Sequence, residues 1–153
     1  MELSSQKLNS FLMFKLPSAW LCGVRVKEIN SGKCVTGVKH RWINQNPFNS
    51  LYFAVQAMAA ELSTGALVMA AIRKSNRSIS MLVAQNKAQF TKKATGKIKF
   101  VCEDGELIQS KIEEAIATGE GQTFWMKSRG TNEEGQEVSL FEFEWTIKIK
   151  KKT

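Results

Sequence analysis

The residues from Leu51 to Ile72 form an unbroken run of 22 in which only Gln56, Glu61, Ser63 and Thr64 are strongly polar. No other stretch of the chain resembles it, so the fold must find cover for this one segment. Its length would span a bilayer, yet Glu61 stands at its middle and seven alanines dilute its hydropathy. A carboxylate at mid-membrane is costly, and the run therefore reads as a helix buried in protein, with no membrane span. A helix that is apolar all round, rather than along one stripe, requires neighbours on nearly every side.

The rest of the chain supplies that cover. At 153 residues there is length for one hydrophobic core, and we read residues 1–153 as one domain. Residues 1–17 carry Leu8, Phe11, Leu12 and Leu16 at helical spacing, which predicts an amphipathic opening helix. From Val24 the period changes to two. Val24 to Lys27 reads as a strand, Asn30-Ser31-Gly32 as a turn and Cys34 to Ile43 as the antiparallel partner. A loop from Asn44 to Asn49 precedes the long helix, placed over 50–72, for which Asn49 or Ser50 is the expected cap. Strands are expected over Ile79–Phe90 and Lys97–Cys102. An additional short helix over 106–118, with Ile108, Ile112 and Ile116 four apart, ends at Gly119.

The clearest strand comes last. Phe141, Phe143, Trp145, Ile147 and Ile149 alternate with Glu142, Glu144, Thr146, Lys148 and Lys150, and Gln122 to Arg129 is expected to pair with them across Asn132-Glu133-Glu134-Gly135. The predicted class is α+β, a curved antiparallel β-sheet wrapped around one long central α-helix. No internal repeat is visible, and low complexity is confined to the terminal Lys150-Lys151-Lys152.

The net charge of +8 is unevenly spread. Residues 73–101 hold eight basic groups and no acid, whereas residues 102–144 carry eleven acids against three bases. We therefore expect one half of the sheet to be basic and the other acidic, the basic half facing a localised polyanion. A nucleic-acid partner, with Phe90 and Trp42 stacking on bases, is the weaker reading, because the aromatics fall on apolar strand faces and do not interleave with the basic residues. Cys22, Cys34 and Cys102 are odd in number and form no CxxC pair, which argues against a disulfide framework or a thiolate metal site. With an N-terminus too interrupted for a signal peptide, they place the chain in the cytoplasm. The one histidine, His40, falls on the same predicted strand face as Val38 and Trp42, so no histidine-based triad is indicated.

Glu61 most needs explanation. A carboxylate inside an apolar helix bears a desolvation cost of several kcal/mol unless paired or neutral. Its pKa rises accordingly, which suits a general base working near neutral pH. The bland alternatives are a solvated strip or a structural ion pair, and for Asn46 a side chain that caps its own turn before Pro47.

The segment Asn46-Pro47-Phe48-Asn49-Ser50-Leu51-Tyr52-Phe53-Ala54, followed by Glu61-Leu62-Ser63-Thr64-Gly65, resembles the loop and catalytic helix of hotdog-fold acyl-CoA thioesterases, in their phenylacetate-pathway (PaaI-like) branch. It is similar more widely to uncharacterised bacterial hotdog proteins. In that branch an Asn precedes a His-Gly-Gly by six residues, and an acid follows the first Gly by eight. Asn46, Phe53 and Glu61 keep these spacings, while Tyr52-Phe53-Ala54 stands in place of His-Gly-Gly.

The resemblance implies a hotdog fold, a homodimer or dimer of dimers, and thioester hydrolysis at a dimer-interface site. Glu61 would activate water or attack directly, the Phe53 N–H would polarise the carbonyl, and Asn46 would support the water or the loop. The substrate would be an acyl-CoA, with coenzyme A as part of the substrate and no further cofactor or metal. Tyr52 and Asn49 would line the substrate site, and Arg73, Arg77, Lys92 and Lys93 are the candidates, by position, for the nucleotide phosphates. The alternative is a non-catalytic acyl-CoA or lipid-binding hotdog protein, suggested by the loss of His-Gly.

Overall fold

The computed structural model describes residues 3–150; Lys151 and Lys152 of the basic tail and the first two residues of the expected opening helix lie outside them. The long apolar run forms helix α3, Phe53–Lys74, and everything else is arranged around it. Its alanines are the best helix formers and keep one face narrow enough to lie against a concave sheet. Val55, Ala59, Ala60, Leu62, Ala66, Leu67 and Val68 are buried there, each large side chain contributing about 1.5–3 kcal/mol. α3 is long and apolar enough to cross a membrane, but it is the core helix of the domain, most of it covered by protein.

The cover is a six-stranded antiparallel sheet in the order β1-β2-β4-β5-β6-β3. Its strands are β1 (Arg25–Ile29), β2 (Cys34–Lys39), β3 (Ile79–Phe90), β4 (Lys97–Cys102), β5 (Gln122–Thr131) and β6 (Glu137–Ile149). A curved antiparallel sheet around one long helix is the hotdog arrangement. In β6 the expected alternation holds, with Phe141, Phe143, Trp145 and Ile147 buried beneath the helix, and the turn into it runs through Gly135 in a left-handed conformation. Helix α4, Gly105–Thr118, buries Ile108 and Ile112 and ends at Gly119, also left-handed.

Buried polar contacts fix α3 in rotation and in register. Thr36 donates to Ala59 O at 2.6 Å, the Ser63 and Ser128 hydroxyls lie 2.7 Å apart, Ser139 donates to Gln56 Oε1 at 2.8 Å, and Trp145 Nε1 donates to Thr64 Oγ1 at 2.9 Å. Rotating the helix would leave these groups buried and unpaired, at about 1–3 kcal/mol each.

The structure corrects several expectations. The opening helix is two helices, α1 (Ser5–Lys15) and α2 (Pro17–Leu21). Pro17 excludes helical geometry at Leu16, which is half-exposed with φ −133° and ψ 59°. The strand expected to reach Ile43 stops at Lys39, and Trp42–Asn44 form a 3₁₀ turn. The cause is Asn44, whose buried side chain donates to Cys22 O and Lys39 O and accepts from Arg41 N. His40 therefore lies beyond the strand, and its buried Nε2 has no hydrogen-bond partner among the described residues.

Nor does the sheet divide into basic and acidic halves. The acid-bearing β6 runs between β5 and β3, so Lys87, the one charged residue of β3, meets Glu142 at 3.3 Å and opposite charges interleave across the strands. The two sheet edges also differ. The β1 edge is blunted by Asn9 of α1, which exchanges hydrogen bonds with the Val26 N–H and C=O at 2.8 and 2.9 Å as a neighbouring strand would. β3 pairs with β6 on one side, and along the other edge of this twelve-residue strand the outward-facing N–H and C=O groups pair with no strand among the described residues.

α4 starts against the β1–β2 turn. Gly105 N–H donates to Gly32 O at 3.1 Å, and a Cβ on Gly105 would collide with the Ser31 carbonyl and the Gly32 backbone. Backbone cannot yield as a side chain would. Gly105→Ala is expected to destabilise the fold by about 2 kcal/mol, read as a lower urea midpoint at unchanged slope.

Candidate active site

Asn46 builds the loop that delivers the chain to α3. Its Oδ1 accepts from Phe48 N at 2.9 Å and Ser50 N at 3.2 Å, and its Nδ2 donates to Ser50 Oγ at 2.9 Å and Leu51 O at 3.4 Å. Asn49 adopts φ 57° inside this turn, where Asn is among the few side chains readily tolerated. Leu51 N–H then donates to Ala94 O and Tyr52 N–H to the clamped Asn44, at 2.8 and 3.0 Å. Both ends of the Asn46 amide are consumed by the loop, so this residue acts on its surroundings through loop shape.

That bonding also decides how the helix begins. The expected caps, Asn49 and Ser50, are held in the Asn46 turn, and the residue preceding the helix is Tyr52, which makes no capping bond with its side chain. No acceptor among the described residues meets the Phe53 or Ala54 N–H. Two donors at the positive end of a 22-residue helix therefore face outward. Phe53, the first of the two, lines a cleft of about 550 Å³ together with Asn46, Phe48, Tyr52, Gln56, Phe90, Lys92 and Lys93.

The Phe53 ring stands edge-on to Tyr52 and to Phe90, at 5.0 and 6.4 Å between centroids, and the aromatic series continues through Phe90 and Phe141 to the buried Phe100. Lys93 Nζ donates to Phe48 O at 3.2 Å and braces the loop, while Lys92 makes no ion pair among the described residues. Two lining groups escaped the sequence reading. Gln56 is buried at one end against Ser139 and leaves its Nε2 without an acceptor among the described residues, and Phe90 forms the wall opposite Phe53. Gln56 was visible as one of the few polar residues in the apolar run, whereas nothing local marks Phe90.

Glu61 lies two helical turns further on, about 12 Å along the axis from Phe53. It is half-buried, and its carboxylate accepts no hydrogen bond and joins no ion pair among the described residues. Burial pushes its pKa above the ordinary 4.5. Gly65, one turn on, makes room for it: a Cβ there would stand 3.2 Å from Glu61 Oε1 and from the Trp145 ring. Among the described residues no cation pairs with Glu61, and its half-buried position is not that of a fully solvated strip.

The remaining candidates separate. Asn49 is outside the cleft wall. Arg73 and Arg77 sit at and beyond the C-terminal end of α3, about 30 Å from Phe53, and within one chain they cannot share a ligand with Lys92 and Lys93. Cys34 and Cys102 face each other across β2 and β4, and burial pushes both thiols up to about 12, which removes them as nucleophiles at neutral pH.

The whole architecture recurs in solved structures. A Pseudomonas aeruginosa protein of unknown function, described as a probable thioesterase, superposes with a TM-score of 0.85 at 21% identity over 98% of this chain and 99% of its own. A Chlorobaculum tepidum protein of unknown function gives 0.82 at 13% identity, over 97% and 99%. A Haemophilus influenzae thioesterase gives 0.73 at 12% identity, over 97% and 93%. At these identities the likeness is one of fold. No curated protein matches the chain. A family model spanning residues 4–147 does match, and the chain belongs to that family, DUF4442, a domain of unknown function.

Proposed function

We propose that the chain is an acyl-CoA thioesterase whose site is completed by two copies. The observation that carries this reading is Glu61, a desolvated carboxylate with no hydrogen bond or ion pair among the described residues, on the same helix as two open N–H donors. A base and an oxyanion donor must each come within about 3 Å of one reacting carbonyl or its water. Eight helical residues separate Phe53 from Glu61, about 12 Å, so one copy does not assemble both around a single thioester. The β3 edge offers a second copy a place to dock, and in this reading one copy's helix N-terminus pairs with the other's Glu61.

In this reading Glu61 takes the proton of a water that attacks the thioester carbonyl. The Phe53 and Ala54 N–H groups donate to the developing oxyanion, and Gln56, which lines the same cleft as Phe53, offers its Nε2 as a further donor. Collapse of the tetrahedral species breaks the C–S bond, releasing the carboxylic acid and the thiolate of coenzyme A, which takes up the proton held by Glu61 and restores the base. Asn46 positions the loop, Tyr52 flanks the entrance, and Lys92 meets the nucleotide phosphates.

Two features of other proteins support it. Several fold neighbours are called thioesterases. For a Staphylococcus aureus thioesterase neighbour, structures exist of variants in which a glutamine and a glutamate, fifteen residues apart in that chain, are replaced by alanine. Asn46 and Glu61 have the same separation here. The half-exposed Phe53 ring at the cleft mouth favours a second reading, in which acyl-CoA is bound without turnover.

Glu61→Gln is expected to lower kcat by about 10²- to 10⁴-fold with acyl-CoA binding retained, measured by free-thiol release and by calorimetry. Binding with no turnover by the unaltered chain would establish the second reading. Because the base must be ionised, kcat should fall as pH drops through the raised Glu61 pKa, giving an acid limb above 4.5. The same shift carries a stability cost that is absent below the unfolded value near 4.5 and complete above the folded one. Glu61→Gln should therefore raise Tm more at pH 8 than at pH 5.

Phe53→Pro removes one donor at the first helical position, where Pro is well tolerated. Tyr52 already has the φ −61°, ψ 136° that a following proline requires. We expect Tm to hold and kcat to fall about 10²- to 10³-fold.

A further inference from the structure

A second cleft, of about 520 Å³, lies at the opposite end of α3 from the candidate site. Three elements each turn one face to it. α1 contributes Leu8 and Phe11, α3 contributes Met69 and Ile72, and β3 contributes Ile79 and Met81, residues at the i, i+3 and i, i+2 spacings of a helix face and a strand face. Leu8 and Ile79 are buried and form its floor, and Met69, Ile72 and Met81 are half-buried walls. The volume is in the range of small-molecule sites, about 300–1,000 Å³.

Its charged groups are Lys7 of α1 and Arg73 of α3, both exposed at the rim. Neither makes an ion pair among the described residues. No acid follows Arg73 in sequence until Glu103. An apolar trough with two unpaired cations at its rim is complementary to one kind of molecule: an alkyl chain ending in an anion.

We propose that this cleft binds a single-chain fatty carboxylate, its alkyl chain laid between α1, α3 and β3 and its carboxylate held by Arg73 and Lys7. The planar guanidinium matches a carboxylate in a two-point fork, and the ammonium adds a point charge. The apolar lining offers a nucleotide or a peptide almost no polar partner, which separates this cleft from the Lys92 side of the molecule. The assignment does not rest on thioester hydrolysis by the chain.

The test is calorimetric titration of the full chain with octanoate, decanoate and dodecanoate, each below its micelle concentration, at pH 8. The expected result is one site per chain, with affinity rising about fourfold per added methylene. Lys7→Gln together with Arg73→Gln, both surface changes, should weaken dodecanoate at least tenfold and leave 1-dodecanol unaffected, while Phe53→Pro should leave dodecanoate binding intact. No uptake of dodecanoate, uptake indifferent to Lys7 and Arg73, or uptake abolished by Phe53→Pro would each overturn the proposal.

Discussion

Burial of α3 is the constraint from which the rest follows. The helix is apolar on most of its surface, and the sheet covers it with the side chains of β6 and with hydrogen bonds to Gln56, Ser63 and Thr64. Those contacts fix its rotation. Once rotation is fixed, the position of every group on the helix is fixed too, including the one carboxylate the packing does not pair and the two N–H donors at its start. Stability and chemistry share one element, and the polar residues that interrupt its hydropathy serve the first purpose except at Glu61.

The entry loop applies the same economy. Asn44 and Asn46 commit their amides to the loop: the first ties it to the Cys22 and Lys39 carbonyls, the second folds it back on Ser50 and Leu51. The residues that would ordinarily cap a helix are used to shape its approach, and the cap position falls to Tyr52. An uncapped start costs about 1 kcal/mol. In exchange, unsatisfied donors stand at the mouth of a cleft walled by aromatic rings and lysine.

How much of this was legible depended on whether the cause was local. The alternation in β6, the helical spacing of Ile108 and Ile112 and the turn at Gly135 are local patterns, and the structure has each where its spacing puts it. The core helix was legible from its hydropathy alone, and the oddity of Glu61 from its setting. The start of α3 was misplaced because Asn49 and Ser50 are taken by a competing turn, and the end of β2 because Asn44 reaches residues 22 positions away. The charge pattern misled because strand order is a long-range property: β3 crosses to the far side of β6 and mixes what the sequence separates. For the same reason Arg73 and Arg77 lie far from Lys92 and Lys93, and Phe90 faces Phe53 with no signal in the spacing.

The central claim is that Glu61 of one copy works with the helix N-terminus of another, and mixing two inactive variants tests it most directly. Phe53→Pro keeps Glu61, and Glu61→Gln keeps the N–H donor. If the site spans two copies, co-refolded mixtures contain hybrid pairs with one intact site each, and random pairing restores roughly a quarter of the thioesterase activity of the unaltered protein. Recovery near that level is predicted. Mixtures that form hybrids yet stay as inactive as the separate variants would place both groups in one chain and contradict the account.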